Sequence, residues 1–325
     1  MTVSLVTGGA GFVGRHLVRA LKARGETVRV LDLAARVETG DIQGSVTDPE
    51  AVRLAMRGVD TVFHLAGNAQ LWAPRARDFD EANHEGTRIV AEAALAAGVR
   101  LVHCSSLTTL VGRKTPSGPS SADETVALGP EEMLGPYPRS KRLAEIAVEE
   151  AVRRGLDAVI AIPTEPLGAG DESLTPPTRM IMDFANGKTP AFIDCVLNFV
   201  PVGSLAEGLI AARDRGRKGQ RYLLGGENVS MRRLLAAIEK DAGRKTPSLQ
   251  LPYLVAHLAG VIDTGLVARL SGKPPKAPLT GVRLAGRRVS FSSEKAAREL
   301  DWRSAPFEPA LSETLVWMKS VGLTG

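Results

Sequence analysis

The segment Thr7-Gly8-Gly9-Ala10-Gly11-Phe12-Val13-Gly14 places the tightest limit on what this 325-residue chain can fold into. It follows a short β-branched run, Val3–Thr7, and opens a helical pattern over residues 13–24. Each of the three spaced glycines meets a separate demand. Gly8 permits the tight turn, Gly11 lets a pyrophosphate approach the backbone, and Gly14 lets the helix pack on the strand. The helix N-terminus adds unpaired N–H groups and partial positive charge. A glycine loop is weak evidence by itself and also fits a plain turn. Its place between a first strand and a first helix predicts a dinucleotide-binding loop.

The rest of the N-terminal half agrees. Further β-branched runs fall at residues 28–32, 61–65, Arg100–Cys104 and 158–162. Apolar residues at three- and four-residue spacing mark helices over residues 81–97 and 140–154. Strand–helix alternation means crossover units and a parallel sheet covered on both faces. The fold class is therefore α/β: a Rossmann-type doubly wound parallel sheet with a smaller, discontinuous C-terminal substrate lobe. Residues 1–165 form the nucleotide-binding domain and 166–325 mainly the substrate lobe, with segments near 191–224 returning to the first domain. Residues 270–288, rich in Gly, Pro and Arg, read as loop.

Composition excludes several classes. Forty-one Lys and Arg against 36 Asp and Glu give a net charge of +5 without a dense basic block, which argues against nucleic-acid binding. Cys104 and Cys195 make no disulfide framework and no metal spacing. Histidines 16, 64, 84, 103 and 257 also lack ligand spacing, so no metal site is expected. A G-x-S-x-G elbow is absent. The N-terminus lacks the basic start and long apolar core of a signal peptide, and a cytoplasmic location is expected. Residues 251–261 are apolar around His257. They read as a lid or core helix, or alternatively as a peripheral membrane contact that admits a lipid-like substrate.

Asp32 ends the second strand. A carboxylate there accepts hydrogen bonds from the adenosine ribose and repels a 2′-phosphate, which favours NAD over NADP. Arg36 lies near enough in sequence to offset that repulsion. Tyr137-Pro138-Arg139-Ser140-Lys141 puts a phenol and an amine four residues apart, on one helix face. A phenol is a poor base at neutral pH, and a nearby ammonium together with a nicotinamide cation lowers its pKa by favouring phenolate. Tyr137 is then fitted to exchange a proton while a nicotinamide exchanges a hydride, and Lys141 to hold the nicotinamide ribose. Ser105 and Ser106, just after Arg100–Cys104, are the candidate hydroxyls for the same substrate oxygen.

Together with His64-Leu65-Ala66-Gly67 and Asn83-His84-Glu85-Gly86-Thr87, these motifs resemble the extended short-chain dehydrogenase/reductases, the NAD-dependent epimerase/dehydratase superfamily. The chain is most similar to the branch that is like dihydroflavonol reductase and 3β-hydroxysteroid dehydrogenase and includes hopanoid-associated sugar epimerase-like proteins. Residues 162–168 and 223–228 carry that closer likeness. The resemblance implies Ser106 as the catalytic hydroxyl with Tyr137 and Lys141, and Ser105 as the reserve. It assigns Gly8, Gly11, Phe12, Val13, Gly14, Asp32, Ser45, Val46, Leu65, Ala66, Gly67 and Pro163 to the cofactor, with Asn83 in support. Ser45 stands where relatives often place an Asp against adenine. Leu197 and Ser204 replace an Arg and an Asp common in nucleotide-sugar members, although Arg283, Arg287 and Arg288 offer charge from another loop.

The expected function is interconversion of a secondary alcohol and a ketone on a largely apolar, steroid- or terpenoid-like substrate, with decarboxylation left open. The alternatives are a nucleotide-sugar epimerase or dehydratase with transient hydride transfer, and a non-catalytic dinucleotide sensor. By resemblance a homodimer forms through the helices at 81–97 and 140–154.

Overall fold

A computed structural model describes residues 2–35 and 41–325; Arg36, weighed as the counter-charge to Asp32, lies outside them. Seven parallel strands form the central sheet. In spatial order they are Arg221–Leu224, Ala158–Pro163, Arg100–Cys104, Thr61–His64, Val3–Thr7, Thr27–Asp32 and Ile42–Gln43. Chain order reverses between Val3–Thr7 and Thr61–His64. In an open α/β sheet the crevice for a ligand opens at that reversal, beyond the carboxyl ends of the strands. The glycine loop leaves the sheet there.

The inner strands have few polar residues because both faces are covered. Leu5, Val62, Leu101 and Ile160 point to one side, against the helices Pro49–Ala55, Gly86–Ala97 and Pro136–Arg153. Val6, Phe63, Val102 and Val159 point to the other, against Phe12–Ala23 and Val202–Arg215. The helices Phe12–Ala23 and Gly86–Ala97 end where glycine relieves the strain of a left-handed residue, Gly25 at φ +78° and Gly98 at φ +67°.

The C-terminal lobe has its own core, in which Phe199 and Phe307 stack with ring centroids 5.2 Å apart. Within the stretch 191–224, Arg221–Leu224 closes one edge of the main sheet. Val196–Pro201 instead pairs with Glu165–Leu167 and Glu227–Ser230 in a separate sheet. The expected loop at 270–288 contains a helix, Leu279–Ala285. Its glycine and preceding prolines weaken the local signal, and tertiary contacts decide the outcome. A side chain at Gly135 would run into Thr280, and Val282 packs beside Gly260.

Candidate active site

The loop geometry explains the glycines. Gly8 has φ +72°, and a Cβ there would stand 2.6 Å from the Ala66 nitrogen. A Cβ at Gly14 would collide with the Gly8 carbonyl oxygen and stand 2.7 Å from the Gly9 Cα. Gly11 caps Phe12–Ala23 without any side-chain hydrogen bond, so the first-turn N–H groups have no side chain answering them. This cradle fits a dinucleotide pyrophosphate. Phe12 is buried, Val13 packs against the sheet, and Leu65, Ala66 and Gly67 follow the neighbouring strand past Gly8.

Asp32 is fixed beside the cradle. Its carboxylate accepts hydrogen bonds from the Ala10 N–H (3.0 Å) and the Ala34 N–H (2.9 Å). Ser45 turns back on its own loop, its hydroxyl 2.7 Å from that of Thr47. Val46 buries its side chain against Gly86. Pro163 is buried at the end of Ala158–Pro163, paired with Leu224.

Helix Pro136–Arg153 starts with Pro136 in its first turn. Pro138 also falls in that turn, where no intrahelical N–H bond is lost. Tyr137 and Lys141 therefore share one face, and both are buried. The Tyr137 ring lies 5.9 Å from that of Phe79, centroid to centroid. Ser106 begins the short helix Leu107–Leu110 and accepts hydrogen bonds from the Thr108 N–H (3.3 Å) and hydroxyl (3.0 Å). Its own proton is not used in either bond, and Ser106 acts on the nearby Tyr137 phenol in the direction that favours phenolate. The Ser105 hydroxyl instead donates to Glu145. Lys141 Nζ donates to the Cys104 carbonyl at 2.6 Å.

Burial dominates the electrostatics of the pair in the protein by itself. Burial pushes Tyr137 up to about 12, against the smaller opposing effect of Ser106. Burial also holds Lys141 below the usual amine range. Two histidines inside the sheet are kept neutral. His64 is driven down to about 3 by burial and then by Lys141, and His103 falls well below its ordinary value for the same reasons. The Thr87 hydroxyl donates to the Asn83 carbonyl (2.5 Å), so His64 Nε2 must donate to Thr87 (2.9 Å) and Nδ1 accept from Thr7 (2.7 Å). The His103 ring lies beside that of His64, tilted with centroids 5.5 Å apart, and neither of its ring nitrogens has a partner.

Two supporting residues are tertiary in origin. The segment Asp80–Glu85 forms a wide π turn instead of the regular helix expected there. From it Asn83 donates to the Asn68 carbonyl (3.0 Å) and to Ser140 Oγ (2.9 Å), and accepts from the Asn68 N–H (2.7 Å). It thus ties the segment after Gly67 to the Tyr137 helix. Glu145 was not singled out by sequence. Fully buried, it accepts from Ser105, Thr109 (2.9 Å), Arg142 (2.9 Å) and Arg221 (3.1 Å). The available signal was an acid on the apolar face of its helix, between Ala144 and Val148.

Leu197 packs against the C-terminal core, and Ser204 Oγ accepts from the Ala305 N–H at 3.1 Å. Of the three arginines, Arg283, on the helix Leu279–Ala285, donates to Leu134 O (3.4 Å), Arg287 to Thr115 O (2.8 Å) and Arg113 O (2.9 Å), and Arg288 pairs with Asp194 at 3.0 Å.

The model of the NAD dependent epimerase/dehydratase family matches residues 4–225. The sterol demethylase protein B of Methylococcus capsulatus is 31% identical over 329 residues, covering 98% of this chain and 99% of that protein. A 4-hydroxy-2-methyl-3-oxo-4-farnesyl-3,4-dihydroquinoline-1-oxide ketoreductase of Stigmatella aurantiaca is 32% identical over 318 residues, covering 92% and 91%. The UDP-glucose 4-epimerase of Thermus thermophilus, solved in complex with NAD, matches with a TM-score of 0.76 and 25% identity, over 98% of this chain and 99% of that one. The glycine cradle, the parallel sheet and these matches agree: the chain belongs to the NAD dependent epimerase/dehydratase family and is an NAD(P)-dependent oxidoreductase.

Proposed function

We propose that the protein interconverts a secondary alcohol and a ketone on a largely apolar substrate, with NAD preferred over NADP. A bound nicotinamide supplies or takes the hydride. The protein's own groups handle the proton and the oxygen. Ser106 donates a hydrogen bond to the substrate oxygen. Tyr137 passes its proton to that oxygen in reduction and recovers it in oxidation. A phenol raised by burial is protonated at neutral pH, the form a ketone requires. Lys141 provides the positive field that steadies the phenolate once the proton has left.

The observation that carries the substrate class is the fate of the polar grips. Leu197 is committed to packing and Ser204 to a backbone hydrogen bond, while Arg283, Arg287 and Arg288 hold protein carbonyls and Asp194. A sugar-nucleotide phosphate loses its strong, directional contacts there. The relatives named for a sterol and for a farnesylated quinoline oxide point the same way. NAD is preferred because Asp32, fixed by two backbone N–H groups, repels a 2′-phosphate. The NAD-bound epimerase supports the same cofactor.

The test follows reduced-nicotinamide absorbance with NAD or NADP and a panel of sterol and terpenoid secondary alcohols. Turnover is expected with NAD, and Tyr137→Phe should lower kcat by about 10²–10⁴-fold while the fold is retained. Silence across the apolar panel, with thermal stabilisation by UDP- or dTDP-sugars, would move the reading to sugar epimerisation.

A further inference from the structure

Among the described residues one helix is long and apolar enough to cross a membrane, Tyr253–Ser271. Its residues are sorted the opposite way from those of a core helix. Ala256, Gly260 and Ala268, four or eight apart, face the body of the protein and are buried. Leu254, Leu258, Ile262, Leu266 and Leu270, spaced by four, face outward, from 55% exposed at Leu258 to 80% at Leu270. A spacing of four drifts around a regular helix. The wide π turn at Asp263–Val267 takes up part of that drift, so the large side chains keep closer to one line. The line is roughly 24 Å long at 1.5 Å per residue. Monomeric proteins seldom leave so continuous an apolar surface facing water.

Charge indicates what covers it. Between Asp241 and Glu294 eight Lys and Arg accompany a single acid, Asp263. That acid is turned inward, accepting from the Ala277 N–H at 2.9 Å. Lys245, Arg269, Lys273 and Lys276 are exposed. A second copy of the chain pairing through this same face would bring the same cations and no counter-charge, whereas an anionic membrane surface supplies it. The helix is also pinned at its middle. The Leu279 N–H donates to Thr264 Oγ1 at 2.9 Å, and the buried small residues rest on the body, which favours lying on a surface over spanning a bilayer.

We propose that Tyr253–Ser271 lies flat on an anionic lipid surface, with its leucine line in the headgroup–acyl boundary and the flanking cations among the headgroups. This surface stands one helix from Tyr137. Gly286 admits the Tyr253 ring, Gly260 admits Val282, and Thr280 rests on Gly135, two residues before Tyr137. A lipid-like molecule in the same membrane therefore meets the protein beside its candidate site. The docking is independent of which substrate is turned over.

The whole protein is floated with vesicles of phosphatidylcholine alone and of phosphatidylcholine with about one-third phosphatidylglycerol. Binding to the anionic vesicles is expected, reversed by high salt and lowered about tenfold or more in a Leu258→Ser, Leu266→Ser double variant whose circular dichroism is unchanged. Three results each overturn the proposal: no flotation with the anionic vesicles, equal flotation of the double variant, or wild-type protein released only by detergent. A dimer abolished by the double variant, without vesicle binding, assigns the face to a second copy instead. Turnover is not read, so failure here leaves the oxidoreductase reading untouched.

Discussion

Helix Pro136–Arg153 buries Ser140, Lys141 and Glu145, whereas helix Tyr253–Ser271 buries alanine and glycine and turns its leucines outward. Each departs from the usual sorting of polar and apolar residues, in opposite directions. In the first helix every one of those polar groups has a partner: Ser140 with Asn83 and Tyr137, Lys141 with Cys104, Glu145 with two arginines and two hydroxyls. The cost of burial is offset inside the fold. In the second helix nothing within the described residues covers the leucines. A departure satisfied internally builds a rigid site, and one left open calls for something outside the chain.

The sharpest way to break this contrast is at Glu145. Glu145→Ala leaves Arg142 and Arg221 without their shared buried acceptor and should cost about 3–5 kcal/mol of stability in urea unfolding. A loss below about 1 kcal/mol would mean the hub is not holding the helix. A second effect is expected from pH. His64 stays neutral when folded, so its contribution to stability is complete above pH 6.5 and is lost as pH falls toward about 3. Glu165 runs the other way. The residue keeps partial exposure, but its Oε2 is sealed from solvent without a partner, and burial raises its carboxyl to about 8. Its folded value lies above the ordinary 4.5, so stability is lost as pH rises from 4.5 through about 8. Melting curves across that range should show Glu165→Gln more stable than the parent at the alkaline end, with the gap closing toward pH 4.5. A gap independent of pH would reject the assignment. The smallest effect belongs to the outward line: Leu258→Ser in solution should change stability by no more than about 0.5 kcal/mol, since it removes surface already in water.

Much of the N-terminal half was legible because its signals are local. The glycine loop, the β-branched runs and the Tyr137–Lys141 spacing are set by neighbours a few residues apart. The helix Leu279–Ala285 was not legible, because Pro278 and Gly281 weaken the local pattern while contacts to Gly135 and Gly260 hold it in place. The spacing of Tyr137 and Lys141 reveals an amine near the phenol but not how completely both groups leave water.

By itself the sequence determined the parallel sheet, the place of the dinucleotide loop and the residue types available for hydride chemistry, since periodicity and glycine spacing follow from backbone geometry. Only the tertiary structure decided that the Ser105 hydroxyl is taken up by Glu145, that Glu145 joins four donors, and that an apolar run near residue 260 points outward instead of inward. Those outcomes depend on contacts between segments far apart in the chain, and burial, which sets both the electrostatics and the exposed surface, is a property of the assembled fold.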